Sequence, residues 1–246
     1  MFNGTIIQIE PQILLLNLSL WIINISLNIY IILYIFFKLY IKKYSEEERK
    51  ELNVLNLTTW LLFLLLICVA NIITLFFRFV VIEESLGLLL EGIAIILVYI
   101  AIFIKVLYLE NLLHKLKYYK RYYVSIISFI NIIIFFFITP TQFKEVGTLQ
   151  YILLILIAIN FSFLPILYLF LSIKTTGENR RRAFEISAGA VFLGLGLLLR
   201  PLNLEGYYGV SELLNTLIIW TYITAPISIL IAMILIFDSI HKRKEK

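Results

Sequence analysis

Charged residues, cysteine and histidine are scarce in this chain of 246 residues, and each scarcity excludes a class of protein. Only 15% of the residues are charged, against roughly 25% in typical soluble domains. The single cysteine, Cys68, excludes an intrachain disulfide, and the two histidines, His114 and His241, offer few metal ligands. The sequence contains no glycine-rich phosphate loop, no HExxH helix and no GxSxG nucleophile elbow. We therefore expect a protein that is not an enzyme and that carries no metal or cofactor.

Apolar residues make up 61% of the chain and come in long runs rather than in amphipathic stripes. A helix needs about 20 such residues to cross the hydrocarbon core of a bilayer. The first run is too long for the apolar core of a cleavable signal peptide and follows no basic segment, so we interpret it as a retained span. The sequence predicts an all-α membrane protein, a seven-transmembrane-helix bundle that forms one domain over residues 1–246. The predicted spans are 12–40, 57–80, 92–113, 123–139, 149–173, 183–201 and 213–239.

Basic residues are concentrated on one side of the predicted bundle. The connections after the first, third and fifth spans and the segment after the seventh hold sixteen of the 21 lysines and arginines. Short loops rich in lysine and arginine stay in the cytoplasm, which predicts a multi-pass protein of the cell membrane with its N-terminus outside and its C-terminus in the cytoplasm. We interpret the net charge of +5 as contact with anionic lipids at the cytoplasmic face, not with nucleic acid.

Polar side chains within the predicted spans are the first set of candidate ligand or pathway residues. The first span has a stripe at helical spacing, which should face the bundle interior because amides that face lipid are costly. This stripe consists of Asn17, Trp21, Asn24 and Asn28. Asn71, Lys105 and Asn160 add one polar group each to the second, third and fifth spans. The asparagines could form interhelical hydrogen bonds or line a polar cavity, and Lys105 could serve a pathway or extend toward the cytoplasmic surface.

Residues near the outer ends of the spans form a second set of candidates. Arg78 and Arg200 end the second and sixth spans, and Trp220 and Tyr222 lie one to two turns before Pro226 in the seventh. Together with acidic outer loops, these side chains would surround a cavity open to the outside. Proline removes a backbone hydrogen bond, so Pro226 predicts a kink that either opens a ligand site or is a fixed bend.

The sixth and fifth spans also carry residues that affect packing. Ala190 and Gly194 form a small-xxx-small pair, which predicts a close approach between the sixth span and a neighbouring helix. Pro165 predicts a second kink, in the fifth span.

The first three and last three predicted spans share local patterns. The first and fifth end in ILYIF and ILYLF, and the second and sixth end in an arginine followed five residues later by a glutamate. The third and seventh end with the only histidines: Glu110 precedes His114 by four residues, and Asp238 precedes His241 by three. These four residues are candidates for an inner mouth that relays protons or binds a metal, or else they lie at headgroup level. The pattern suggests a 3+1+3 parallel repeat with the fourth span as inverter.

The stretch 176–183, TGENRRRA, opens a sixth span rich in small residues. With the seven-span layout, it resembles the seven-helix sensor modules of archaea and bacteria that are joined to histidine kinases. The resemblance implies a stand-alone sensor or receptor and assigns no site residues. Because the segment after Asp238 is short and basic, a signal is expected to pass to a separate cytoplasmic protein.

Three functions remain open from the sequence. The first is a receptor or sensor with an outer cavity for a small or lipid-like ligand. The second is a small-solute transporter in which two three-helix repeats move about a site near Asn71, Lys105 and Asn160. The third is a membrane scaffold or complex subunit. A homo-oligomer is compatible with all three.

Overall fold

The computed structural model describes residues 11–41, 54–79, 84–118, 122–137, 147–199 and 212–241. These residues form seven helices, and none of them forms a β-strand. The helices are α1 Pro11–Phe36, α2 Val54–Phe79, α3 Glu84–Lys115, α4 Tyr123–Phe137, α5 Gly147–Lys174, α6 Gly177–Leu199 and α7 Glu212–His241. A π-helical turn, Phe37–Ile41, extends α1.

Five of the helices, α1, α2, α3, α6 and α7, are long and apolar enough to cross a bilayer. The other two helices have shorter apolar segments. α4 has 15 residues, and the apolar segment of α5 is Ala158–Lys174. Large apolar side chains such as Phe137 and Ile173 are exposed on the outside of the bundle. Exposed apolar surface of this extent is typical of a helical membrane protein and not of a soluble monomer.

Each predicted span corresponds to one helix, but two helices begin earlier than their apolar runs. The third helix starts at Glu84, and the sixth starts at Gly177, before its run of three arginines. In α6 the charged turns are joined by pairs four residues apart: Arg182 contacts Glu178, and Arg181 Nε lies 2.8 Å from Glu185 Oε1. Such pairs stabilise a helix beyond the segment that hydropathy alone defines.

Successive helices run in opposite directions, so the basic turns lie at one end of the bundle. The Tyr118 hydroxyl donates to the Lys174 carbonyl at 3.4 Å and joins the α3–α4 connection to the end of α5. His241 Nδ1 lies 3.0 Å from the Tyr34 hydroxyl, which brings the last turn of α7 beside the end of α1. We name this end, with Lys115, Lys117, Lys174, Arg180 and Arg181, the basic end.

Six helices form a closed ring in the order α1, α2, α3, α5, α6, α7, and α4 packs outside it against α3 and α5. Large aromatic side chains fill part of the ring. The indole of Trp60 on α2 stacks on Tyr168 of α5 at 6.1 Å, and the ring of Tyr99 on α3 lies 6.4 Å from Phe161. The core at these levels is therefore packed with aromatic rings.

Glycines of α6 allow its close approach to α7. A Cβ on Gly196 would lie 2.8 Å from the Ala225 carbonyl oxygen, and one on Gly189 would lie 3.2 Å from the Ala232 carbonyl oxygen. Gly194 faces α5, where an added Cβ would lie 3.5 Å from Phe161 Cβ, an ordinary contact. The predicted close approach of the sixth helix is present, but Gly189 and Gly196 mediate it rather than the Ala190–Gly194 pair.

Both helical prolines receive a hydrogen bond from a neighbouring helix. Asn24 Nδ2 of α1 donates to the Pro226 carbonyl at 2.8 Å, and Ser187 Oγ of α6 donates to the Pro165 carbonyl at 2.8 Å. α5 and α7 continue through their prolines. These bonds connect the helices where proline has removed a backbone donor.

Candidate functional site

Lys105 on α3 has a fully buried side chain, with an exposed fraction of 0%, and its ammonium group contacts α2. Nζ donates to Asn56 Oδ1 at 2.9 Å and to Thr59 Oγ1 at 3.2 Å. It also lies 3.9 Å from the ring centroid of Trp60 and 4.9 Å from that of Tyr108. We name these four contacting side chains the lysine cage.

Helical spacing places the cage residues together. Asn56, Thr59 and Trp60 lie three and four residues apart near the start of α2, so they share one face of that helix. Tyr108 follows Lys105 by three residues on α3 and shares its face. The Cα of Lys105 lies ten residues before Lys115, about 15 Å from the end of the helix, and its side chain reaches toward the basic end.

The groups of the cage that contact the Lys105 amine are neutral. Within the described part of the chain, Lys105 contacts no carboxylate, since its contacts are an amide oxygen, a hydroxyl oxygen and two aromatic faces. Aromatic faces attract a desolvated ammonium group by about 2 kcal/mol or more. A charge held in this way depends on the relative position of α2 and α3, because three of the four cage residues belong to α2.

Glu110, predicted at the inner mouth, binds the start of α4. Its Oε1 accepts from Val124 N at 3.0 Å, and its Oε2 accepts from Ser125 N at 2.8 Å and from the Ser125 hydroxyl. The first amides of a helix lack intrahelical acceptors and attract a negative charge. Glu110 therefore caps α4 from the neighbouring helix α3, a structural role. His114 is exposed, with its ring 5.7 Å from that of Tyr122.

The second predicted inner-mouth pair lies elsewhere on the bundle. His241 contacts Tyr34 of α1, and its ring lies 5.6 Å from Phe237. Asp238 is half-buried one turn earlier in α7. The structure thus distributes the four residues between the α3–α4 and α7–α1 contacts. Across the described ranges, no group of three or more His, Cys, Asp or Glu side chains could hold a metal ion.

The polar stripe of α1 faces the bundle interior, as predicted. Asn17, Trp21, Asn24 and Asn28 are all buried. Asn24 donates to Pro226, but its Oδ1 and both amide atoms of Asn28 have no hydrogen-bond partner among the described residues. Buried amide groups without partners are rare and mark a place where a polar ligand could bind.

The remaining candidates are scattered. Asn71 is buried on α2, and Asn160 Oδ1 on α5 accepts from Ser128 Oγ of α4 at 2.7 Å. The indole of Trp220 is 60% exposed, so it lies on the outer surface of α7 and not in the interior. The side chains of Arg78 and Tyr222, and all of Arg200, lie outside the described residues.

Sequence patterns did not indicate Asn56, Thr59, Trp60 and Tyr108 as partners of Lys105. Their spacing on α2 and α3 was a usable signal, but nothing in the sequence pairs those two faces. A comparison with protein-family models finds no match, and neither curated proteins nor solved structures show significant similarity to this chain.

Proposed function

We propose that this protein is a seven-span integral protein of the cell membrane that acts as a receptor or sensor. Its N-terminus lies outside and its basic end in the cytoplasm, in accordance with the distribution of lysine and arginine. It binds a small or lipid-like ligand and signals to a cytoplasmic protein at the basic end. The observation that supports this proposal is the lysine cage, a lysine side chain that is fully buried at a place where burial of a titratable group is costly.

The cage supplies the two-state element that a sensor requires. A shift of α2 along α3 would separate the Lys105 ammonium from Asn56, Thr59 and the Trp60 ring together, because all three lie on α2. The freed ammonium would then turn to headgroup or water oxygens at the basic end. Two positions with different partners for one charge make a switch that a ligand can bias.

The ligand binds beside α1, where Asn24 Oδ1 and the Asn28 amide have no partners among the described residues. Asn24 also contacts α7 at Pro226, and α1 neighbours α2 in the ring. A ligand that binds these amides would therefore act on the helix that carries most of the cage. Direct contact between α1 and α2 provides the physical connection between the two places.

Distances between spin labels test the switch. Nitroxides at Val54→Cys and Leu116→Cys, in a Cys68→Ala background, report the separation of α2 and α3 at the basic end, where both positions are exposed. We expect two distances, whose populations change when Lys105→Met removes the charge. Lys174→Met, the same substitution at an exposed lysine of the same end, should leave the populations unchanged. One distance, the same in all variants, would refute the sensor proposal.

A small-solute transporter is the second candidate, and the order of the ring favours it. α1, α2 and α3 contact one another in sequence, as α5, α6 and α7 do, and α3 meets α5 as α7 meets α1. With α4 outside the ring, this order is consistent with two parallel three-helix repeats. The aromatic contacts between the halves, Trp60 with Tyr168 and Tyr99 with Phe161, make us prefer the sensor.

Proton flux into vesicles tests a transporter that moves protons or couples its solute to them. Vesicles that contain the protein and an entrapped pH-sensitive dye are exposed to an acid pulse. If the protein is such a transporter, the wild type should give a proton flux that Lys105→Met abolishes. If it is a sensor, the wild type and Lys105→Met should both give the rate of empty vesicles. If the protein is a scaffold, it should show neither proton flux nor a second spin-label distance.

A further inference from the structure

A groove at the basic end is built from both sides of the tight turn between α5 and α6. Its volume is about 400 Å³, and it is lined by Leu169, Ser172, Ile173, Gly177, Arg180, Arg181 and Phe184. The last two turns of α5 and the first two turns of α6 form its walls. The groove lies at the α5–α6 junction, away from the α2–α3 lysine cage.

The groove has a positively charged mouth. Within the described ranges, Arg180 is exposed and forms no ion pair. Arg181 uses Nε for Glu185, and its two terminal nitrogens have no hydrogen-bond partner in the described part of the chain. The nearby carboxylate of Glu178 is paired with Arg182. The Arg180 guanidinium and the terminal nitrogens of Arg181, whose charge Glu185 and Asp238 partly offset, can therefore bind an anion, and arginine matches the oxygens of a phosphate group in geometry.

The floor of the groove is apolar and faces away from the bundle. Ile173 is 67% exposed and Phe184 58% exposed, and Leu169 is exposed one turn deeper along α5. Phe184 lies seven residues into α6, about 10 Å from the turn along the helix axis. Arg180 and Arg181 lie about 5–6 Å along α6 from the turn, and Leu169 and Phe184 lie deeper, at about 8 and 10 Å, whereas Ile173 is level with the turn. This order matches a phospholipid, whose phosphate lies at the interface and whose acyl chains lie below it.

We propose that the α5–α6 groove binds the headgroup and upper acyl chain of an anionic phospholipid. Arg180 and Arg181 bind the phosphate, while Leu169 and Phe184 contact the chain. The lipid rests against the two helices that follow the proposed inverter helix α4. The inference requires that the helices span a bilayer, but it does not depend on the switch at Lys105, so either can fail alone.

Binding of phosphatidylglycerol to the detergent-solubilised full chain tests the site, with lipid adducts counted by native mass spectrometry. We expect R180Q/R181Q to raise the dissociation constant about 25-fold, at roughly a fivefold loss for each basic group. The matched control K115Q/K117N removes two charges at the same end, one from the last residue of α3 and one from the connection that follows it. Asparagine suits position 117 because Lys117 has a φ of 59°. The control should retain binding within about twofold.

Two further arms identify the source of the phosphate. Phe184→Ala should weaken phosphatidylglycerol binding, and phosphatidylcholine, whose headgroup has no net charge, should bind more weakly than phosphatidylglycerol. Inorganic phosphate in excess should not displace the lipid fully, because it lacks the chain contacts. If inorganic phosphate displaces the lipid fully and Phe184→Ala has no effect, the groove is a free-phosphate site and the lipid proposal is wrong. Equal losses in R180Q/R181Q and K115Q/K117N would show diffuse attraction and would also overturn it.

Discussion

Replacing Lys105 with methionine should leave the protein as stable as before or make it more stable. The ammonium group is fully buried and contacts only neutral groups, so its removal leaves no unpaired charge. Thr59 Oγ1 already donates to the Asn56 carbonyl at 2.9 Å, and the Asn56 side chain is half-buried near the start of α2. Replacing buried charges by apolar side chains of similar volume is often neutral or stabilising by about 1–4 kcal/mol. The loss of the contacts between the ammonium group and the two rings offsets part of this gain. We therefore expect the free energy of unfolding to increase by about 0–2 kcal/mol.

Thermal unfolding in detergent, followed by circular dichroism, measures the effect. For a chain of this length the midpoint should rise by about 0–8 °C. Lys174→Met is the matched control, because Lys174 is exposed and its Nζ lies 5.7 Å from the ring centroid of Phe170; the unfolding free energy of this variant should stay within about 0.5 kcal/mol of wild type. Lys105→Ala should cost about 2–4 kcal/mol, since it leaves a cavity. If Lys105→Met lowers the free energy of unfolding by more than about 2 kcal/mol, the contacts of Lys105 in the cage stabilise the fold, and Lys105 is not retained for function.

Two other contacts give sharp predictions. Glu110→Ala should destabilise the protein by about 2–3 kcal/mol and speed amide hydrogen exchange at Val124 and Ser125, because the cap of α4 is lost. Glu110→Gln keeps one acceptor and should cost about half as much. Wild-type exchange rates in Glu110→Ala would contradict the capping role. Gly196→Ala should lower the unfolding free energy by about 1–3 kcal/mol, because its Cβ would meet α7 backbone, while Gly194→Ala should be neutral or stabilising by about 0.5–1 kcal/mol. Equal unfolding midpoints for these two glycine variants would contradict the close approach of α6 and α7.

The apolar runs predicted the helices because a bilayer requires long apolar segments, and every predicted span has a helix. The burial of the α1 stripe also followed from helical spacing alone. The helix ends were less predictable, since ion pairs such as Arg181–Glu185 continue α6 through charged residues. Ser125, Ser128 and Asn131 of α4 recur every three residues and are buried, a pattern that could have indicated the face that packs on α3 and α5.

The candidate site was only partly predictable, because a site depends on which helices are neighbours. Lys105 stood out as a charge within a span, but its cage partners Asn56 and Thr59 are ordinary polar residues at a helix start. Glu110 and His241 shared a local pattern, yet they contact different helices, α4 and α1. Spacing along one helix shows which residues share a face, but it does not show which face of another helix packs against them.

The fluorescence of Trp60 tests most directly whether the Lys105 ammonium lies on its ring. The chain has three tryptophans, so Trp21→Phe with Trp220→Phe leaves Trp60 as the single tryptophan, which is excited selectively at wavelengths that tyrosine does not absorb. A cation 3.9 Å from the ring centroid perturbs the indole, so Lys105→Met in this background should shift the emission wavelength and change the intensity. Lys174→Met should change neither. Identical spectra with and without the Lys105 charge would contradict the lysine cage and, with it, the proposed switch.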